Sequence, residues 1–196
     1  MAFIYSFTKS NKGHRALLSP MNWINFSISD SVKTPLARPK ELQPLHLYQS
    51  IGNNPIKNMV LLFLSEVISH TIREEHQDDD MFNFFENALM YYDEQREHYD
   101  NFHLSFLIGL TALLGIAPPV DSKQVTDNLY AMWEGKMSAV ERENFKQLCL
   151  APINQCHLIQ LNGIERSKQL NIILDYMQHY APGFKIPKSL ALFRDF

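Results

Sequence analysis

The hydrophobic pattern of this chain changes period at Gly52-Asn53-Asn54-Pro55, and a sequence with two periods needs two kinds of layer. Upstream the pattern is that of strands. Phe3, Ile4, Tyr5 and Phe7 form a short aromatic and β-branched run, and the polar residues 8–15, with Gly13 among them, read as a loop. Residues 17–29 hold a second candidate strand, in which Trp23 and Asn25 alternate with Ile24 and Phe26. Pro35 and Pro39 punctuate a turn, and residues 41–48 extend again, with Pro44 confining them to an edge. Three strands cannot close a barrel alone. This segment therefore leans on the rest of the chain or lacks strands that a longer chain supplies.

Downstream the period is helical. Pro55 suits a first helical turn, and Ile56, Met59, Val60, Phe63 and Val67 make one amphipathic helix that runs out at Arg73-Glu74-Glu75. Asp78-Asp79-Asp80 favour the next start, and residues 81–92 follow with Phe82, Phe85 and Leu89 on one face. Asp100 or Asn101 can cap a third helix holding Phe102, Phe106, Leu107, Leu110, Leu113 and Leu114, which Gly115 and Pro118-Pro119 end. A more polar stretch reads as helical in pieces, at 123–133 and 138–148. Residues 166–180 make a long helix with Leu170, Ile173, Leu174 and Met177 inward, stopped by Pro182-Gly183, and 187–193 close the chain with a short one. The expected fold is α+β, mostly α, with a strand-bearing part at 1–52 and a helical domain at 53–196.

Charge divides at nearly the same place. The chain has 18 Lys and Arg against 21 Asp and Glu, a net −3. Residues 1–60 hold seven of the positives (Lys9, Lys12, Arg15, Lys33, Arg38, Lys40, Lys57) and two of the negatives (Asp30, Glu41), which is +5. The remaining 11 positives and 19 negatives leave −8 for the rest. A basic part beside an acidic one points to an anionic partner for the basic part. Lys9, Lys12 and Arg15 fall in the loop between two strands, with Tyr5, Phe7 and Trp23 near in sequence as stacking surfaces. Cations that follow a phosphate backbone, with aromatics for the bases, are what single-strand binding uses. Arg38 and Lys40 alternate on one face of a strand and add a second basic pair, or else protect an edge.

Other chemistries find little material. GxSxG, the Walker-type glycine and lysine loop and GxGxxG are absent, and seven glycines leave few for phosphate-cradling loops. No enzyme activity is expected, and no cofactor. Of the eight histidines, His70 follows Glu66 by four, His76 adjoins Glu75, and His103 follows Asp100 by three, but none completes a ligand set. Cys149 and Cys156 are too few for a disulfide framework and wrongly spaced for a zinc knuckle, so no metal is expected. Asp78-Asp79-Asp80 lack the glycine and terminal glutamate of a calcium loop. The longest apolar run, 59–64, is too short to span a membrane, and no secretory leader is read at the start, so a cytoplasmic protein is expected. Phe84, Tyr91 and Tyr92 exceed what one core-facing stripe needs, which suggests a groove for an apolar partner peptide beside the simpler reading that they are core.

Several segments, in order, resemble the bacterial DNA repair family RecO. Arg38-Pro39-Lys40-Glu41, Tyr48-Gln49-Ser50-Ile51, Pro55-Ile56-Lys57 and Leu62-Phe63-Leu64-Ser65-Glu66 look like that family's passage from its last barrel strand into its first long helix, with Arg73-Glu74-Glu75 at the helix end. Asn101-Phe102-His103-Leu104, Phe106, Leu107, Leu114, Gly115 and Pro118 are similar to its central helix and Leu-Gly stop. Leu174-Asp175-Tyr176, Pro182-Gly183-Phe184 and Lys188-Ser189-Leu190 resemble its closing helices. The resemblance implies an N-terminal OB-fold barrel on a helical domain without catalytic residues. It also implies binding of single- and double-stranded DNA, strand annealing, contact with RecR and with the single-stranded DNA-binding protein, and help in loading recombinase.

Carried over, Lys9, Lys12 and Arg15 take the place of a basic barrel loop before Leu18-Ser19-Pro20, and Arg38 and Lys40 fall on the family's Arg-x-Lys-Glu positions. Two departures stand out. The resemblance places the first residues at the family's third strand, which makes the OB-like part partial. The four-cysteine zinc site of many members is reduced here to Cys149 and Cys156. The alternative is a helical protein-protein interaction module whose basic segment binds no DNA. For the family reading, an acidic peptide with apolar last residues, like the C-terminal tail of the single-stranded DNA-binding protein, is expected to dock on the helical body.

Overall fold

The computed structural model describes residues 17–28, 39–72, 78–120 and 137–193. Two strands, β1 (Ile24–Ile28) and β2 (Pro39–Pro44), pair antiparallel, with Asn25 opposite Gln43 and Ser27 opposite Lys40. Between these pairs the register slips by a residue, a β-bulge. Glu41 lies in it at φ 54°, a region that side chains with a β-carbon seldom adopt, and its carboxylate accepts from the Ser27 hydroxyl at 2.9 Å. Strand β1 is shorter than the expected 17–29. Residues 17–21 turn instead, with Met21 at φ 62° and the Asn22 N–H donating back to the Ser19 carbonyl. Strand β2 stops at Pro44 rather than continuing to Tyr48, and the last bond across the pair is from the Leu45 N–H to the Trp23 carbonyl at 2.9 Å. The candidate strand at 3–7 and the loop at 8–15 lie outside the described residues.

The other regular elements among the described residues are helices: α1 (Pro55–Thr71), α2 (Asp79–Glu94), α3 (Phe102–Leu113), α4 (Ala139–Leu150), α5 (Gly163–Tyr180) and α6 (Leu190–Phe193), with 3-10 turns at Ile51–Asn53 and Ile153–Leu158. The fold is thus α+β and mostly α, a small antiparallel sheet on a helical body. The starts follow from local chemistry. Asn54 accepts the N–H groups of Ile56 and Lys57 ahead of Pro55, and Asp78 accepts that of Met81. Reciprocal capping boxes, Ser138 with Glu141 and Asn162 with Glu165, open α4 and α5. The second of these sets α5 going at Gly163, three residues ahead of the expected Arg166.

Helix α3 is apolar all round, which only a central position tolerates. It touches α1, α2, α4, α5 and the 153–158 turn, and Phe102, Leu104, Phe106, Leu107 and Leu110 are fully buried. Each such side chain contributes roughly 1.5–3 kcal/mol by leaving water. The helix ends in a Schellman motif: Gly115, at φ 72°, donates to the Ala112 carbonyl and Ile116 to that of Thr111. Glycine suits this left-handed position because it has no β-carbon to clash. The C-terminal stretch is tied back to α1. Glu66 accepts the backbone N–H groups of Lys188 and Ser189 and the Ser189 hydroxyl, bonds that hold its carboxyl down at about 2, and His70 Nδ1 lies 2.9 Å from the Lys185 carbonyl. No helix among the described residues is long and apolar enough to cross a membrane.

Candidate functional site

Of the expected nucleic-acid residues, Lys40 is exposed on β2, opposite Ser27. Lys9, Lys12, Arg15 and Arg38 lie outside the described residues. Lys57, counted among the positive charges of the basic segment, does not face solvent. It is 1% exposed, in the first turn of α1, and its ammonium donates to the Ser50 hydroxyl at 2.7 Å and to the Tyr92 and Gln95 carbonyls at 2.5 and 2.6 Å. Burial pushes its pKa down, and the nearby Asp93 charge pulls it back up. One of the seven positive charges is therefore spent inside the protein.

At Phe84, Tyr91 and Tyr92, where a groove was expected, α2 packs on α3 along one side and on the 153–158 turn along another. Tyr92 is 0% exposed and stacks on Phe102, ring centroids 3.9 Å apart. Burial pushes its hydroxyl pKa far up. Half-buried Tyr91 sets its hydroxyl 3.0 Å from His157 Nδ1. Phe84 is half-buried against Phe106 and Gly109. These aromatics are mainly core.

An open cleft does occur elsewhere on the helical body. It has a volume of about 790 Å³ and lies between the first turns of α1, the start of α3 and the first turns of α5. Ile56, Val60, Ile164 and Leu170 give it apolar walls, and Tyr99, His103, Arg166 and Lys168 give it polar ones. Ile164 is 73% exposed, an unusual setting for isoleucine in a capped helix start.

Asn101 fixes the geometry here. The sequence suggested it as a cap for α3, and it does hold the N-cap position, but its side chain works elsewhere. Its buried amide donates to the Cys156 and Ile159 carbonyls at 3.2 and 2.7 Å, and its oxygen accepts from Arg166 Nε at 3.1 Å. Arg166 also donates to the Leu161 carbonyl at 3.1 Å and stands 3.9 Å from the Asp100 carboxylate. The guanidinium is oriented by groups that neutralise it only in part. Lys168 pairs with Glu141 at 2.7 Å, which with the Ser138 N–H holds that carboxyl at about 2. His103 is buried in the cleft floor, where burial first and the Arg166 charge second push it down to about 3, so it is neutral at neutral pH. An apolar cleft with an oriented guanidinium suits a small apolar group that carries an anion.

Among the described residues, no group of three His, Cys, Asp or Glu side chains could hold a metal ion. Glu66 and His70 are committed to the C-terminal stretch, and Asp100 faces Arg166. Cys149 and Cys156 are free thiols whose pKa values burial pushes up, that of Cys149 to about 12.

Residues 52–130 match the family described as Recombination protein O C terminal. DNA repair protein RecO of Flavobacterium psychrophilum is 29% identical over 97% of this chain and 82% of its own length. The protein of the same name from Bacteroides fragilis is 28% identical over 99% of this chain and 86% of its own. That of Christiangramia forsetii is 28% identical over 80% and 68%. No solved structure matches the chain.

Proposed function

We propose that this chain is a RecO-type recombination mediator with a role in DNA repair and recombination, acting by binding rather than by catalysis. In this reading the strand-bearing residues 1–52 hold single- and double-stranded DNA and help anneal complementary strands. The helical residues 53–196 support them and engage protein partners in the cytoplasm, the single-stranded DNA-binding protein and RecR, for loading recombinase. The carrying observation is the alignment with RecO proteins over 97% of the chain, which includes the basic segment as well as the helical body. Lys9, Lys12, Arg15, Arg38 and Lys40 are the cations that meet phosphate. Exposed Lys40 on the two-stranded sheet supports this assignment.

For the tail of the single-stranded DNA-binding protein, the cleft replaces the groove first expected around Phe84, Tyr91 and Tyr92. Apolar last residues pack on Ile56, Val60 and Ile164, and the terminal carboxylate pairs with Arg166, already oriented by Asn101. Calorimetric titration with a short acidic peptide ending in apolar residues tests this. Saturable binding that Arg166→Glu and Ile164→Glu both abolish is expected. A flat titration, or one that both variants leave intact, removes the cleft from the account.

A further inference from the structure

A lysine inside a protein is tolerated only when its charge and its protons are both matched. Lys57 meets both conditions at the junction of the strand-bearing segment with the helical body. Its three protons have three acceptors, Ser50 Oγ and the Tyr92 and Gln95 carbonyls. The counter-charge is Asp93, reached through Ser50. That carboxylate accepts the N–H groups of Gln49, Ser50 and Ile51 at 2.8, 2.8 and 2.9 Å, and the Ser50 hydroxyl donates to the Asp93 carbonyl. Residues 49–51 are the stretch that leads from β2 into α1. The buried cation and anion thus grip one short link from two sides.

Tyr99 connects this grip to the cleft. Lys57 Nζ lies 4.9 Å from the Tyr99 ring centroid and 4.8 Å from that of Tyr92, within range of cation-π attraction. The Tyr99 hydroxyl accepts from the amide of Asn54, the cap of α1, at 3.0 Å. The same tyrosine lines the cleft, beside Ile56 and Val60 of α1. A group seated against Tyr99 therefore bears on the ring that holds the ammonium.

We propose that Lys57 is a positioning residue for nucleic-acid binding: with Ser50 and Asp93 it sets the 49–51 link from which β2 extends, and through Tyr99 that setting depends on the cleft. Lys57 touches no DNA. The proposal rests on the reading that the strand-bearing segment binds nucleic acid, but the state of the link can be measured without DNA.

The experiment is amide hydrogen exchange at residues 49–51 in the full chain, beside single-stranded DNA affinity, for wild type, Lys57→Met, Tyr99→Leu and Val140→Ser. Tyr99→Leu keeps Lys57 and its three acceptors, and it serves should Lys57→Met fail to fold. Both are expected to speed exchange at 49–51 by at least about fivefold, at the lower end of typical coupling between sites, and to weaken DNA binding similarly. Amides in the middle of α3 should keep their protection. Val140→Ser, an exposed change on α4 outside the cleft, should change neither exchange nor DNA affinity. Unchanged exchange at 49–51 in Tyr99→Leu overturns the proposal, and so does an equal effect of Val140→Ser or a matching loss of protection in α3. Absence of DNA binding by the wild type defeats the DNA reading instead, while the exchange result still decides whether the link is set through Tyr99.

Discussion

The ring of Phe84 stands so close to Gly109 that a β-carbon at residue 109 would fall 2.5 Å from two of its ring atoms. Helices α2 and α3 meet at this point because residue 109 has no side chain. Gly109→Ala adds helix propensity worth about 1 kcal/mol but pushes Phe84 out of its contact with Phe106, an overpacking cost of about 1–3 kcal/mol. The variant should be about 1 kcal/mol less stable in urea. In a double-mutant cycle Phe84→Ala should cost clearly less in the Gly109→Ala background than in wild type, because the contact is already lost there. Equal costs would show that the ring does not depend on this glycine.

Asn101 carries a second expectation. Its amide satisfies two carbonyls of the 153–159 region and its oxygen orients Arg166. Asn101→Ala leaves these buried groups without that partner and should cost about 2–3 kcal/mol in chemical denaturation. If the cleft binds a carboxylate through Arg166, the same variant weakens peptide binding even where the protein remains folded.

Acid sensitivity follows from His103. Its pKa in the folded protein is about 3 against the ordinary 6.5, so the unfolded chain takes up a proton more readily. The stability this histidine contributes is complete above about pH 6.5 and falls as pH drops toward 3, by up to about 1.4 kcal/mol per pH unit. Thermal unfolding of His103→Gln and wild type between pH 6.5 and pH 5 should show a flatter pH dependence in the variant. Parallel curves would mean that His103 takes its proton without cost.

The helical body was largely legible in the sequence, because its signals are local. Pro55, Asp78 and Gly115 act where the sequence suggests they do, since a cap or a stop is a matter of a few adjacent residues. The Asn162-x-x-Glu165 capping box was equally local and, once noticed, moves the start of α5 to Gly163 and sets Arg166 in its first turn. The cleft was not legible, since 56–60, 99–103 and 162–171 meet only in the folded chain. Lys57 misled for a different reason. A lysine in the first turn of an amphipathic helix looks solvated, and only the carbonyls at the end of α2 and the remote Asp93 make its burial possible. Tyr92 misled through its company: four aromatics within nine residues, Phe84, Phe85, Tyr91 and Tyr92, look like a surplus until α3 and the 153–158 turn cover both sides of their helix.

The central claim, that the basic strand-bearing segment binds DNA phosphates, is tested most directly by single-stranded DNA affinity as a function of salt. For wild type, log affinity should fall linearly with log salt, with a slope of about −0.7 for each phosphate contacted. Changing Lys9, Lys12, Arg15, Arg38 and Lys40 to Glu should remove most of both the affinity and the slope. Binding that ignores salt, or that survives the five changes with its slope intact, contradicts the account.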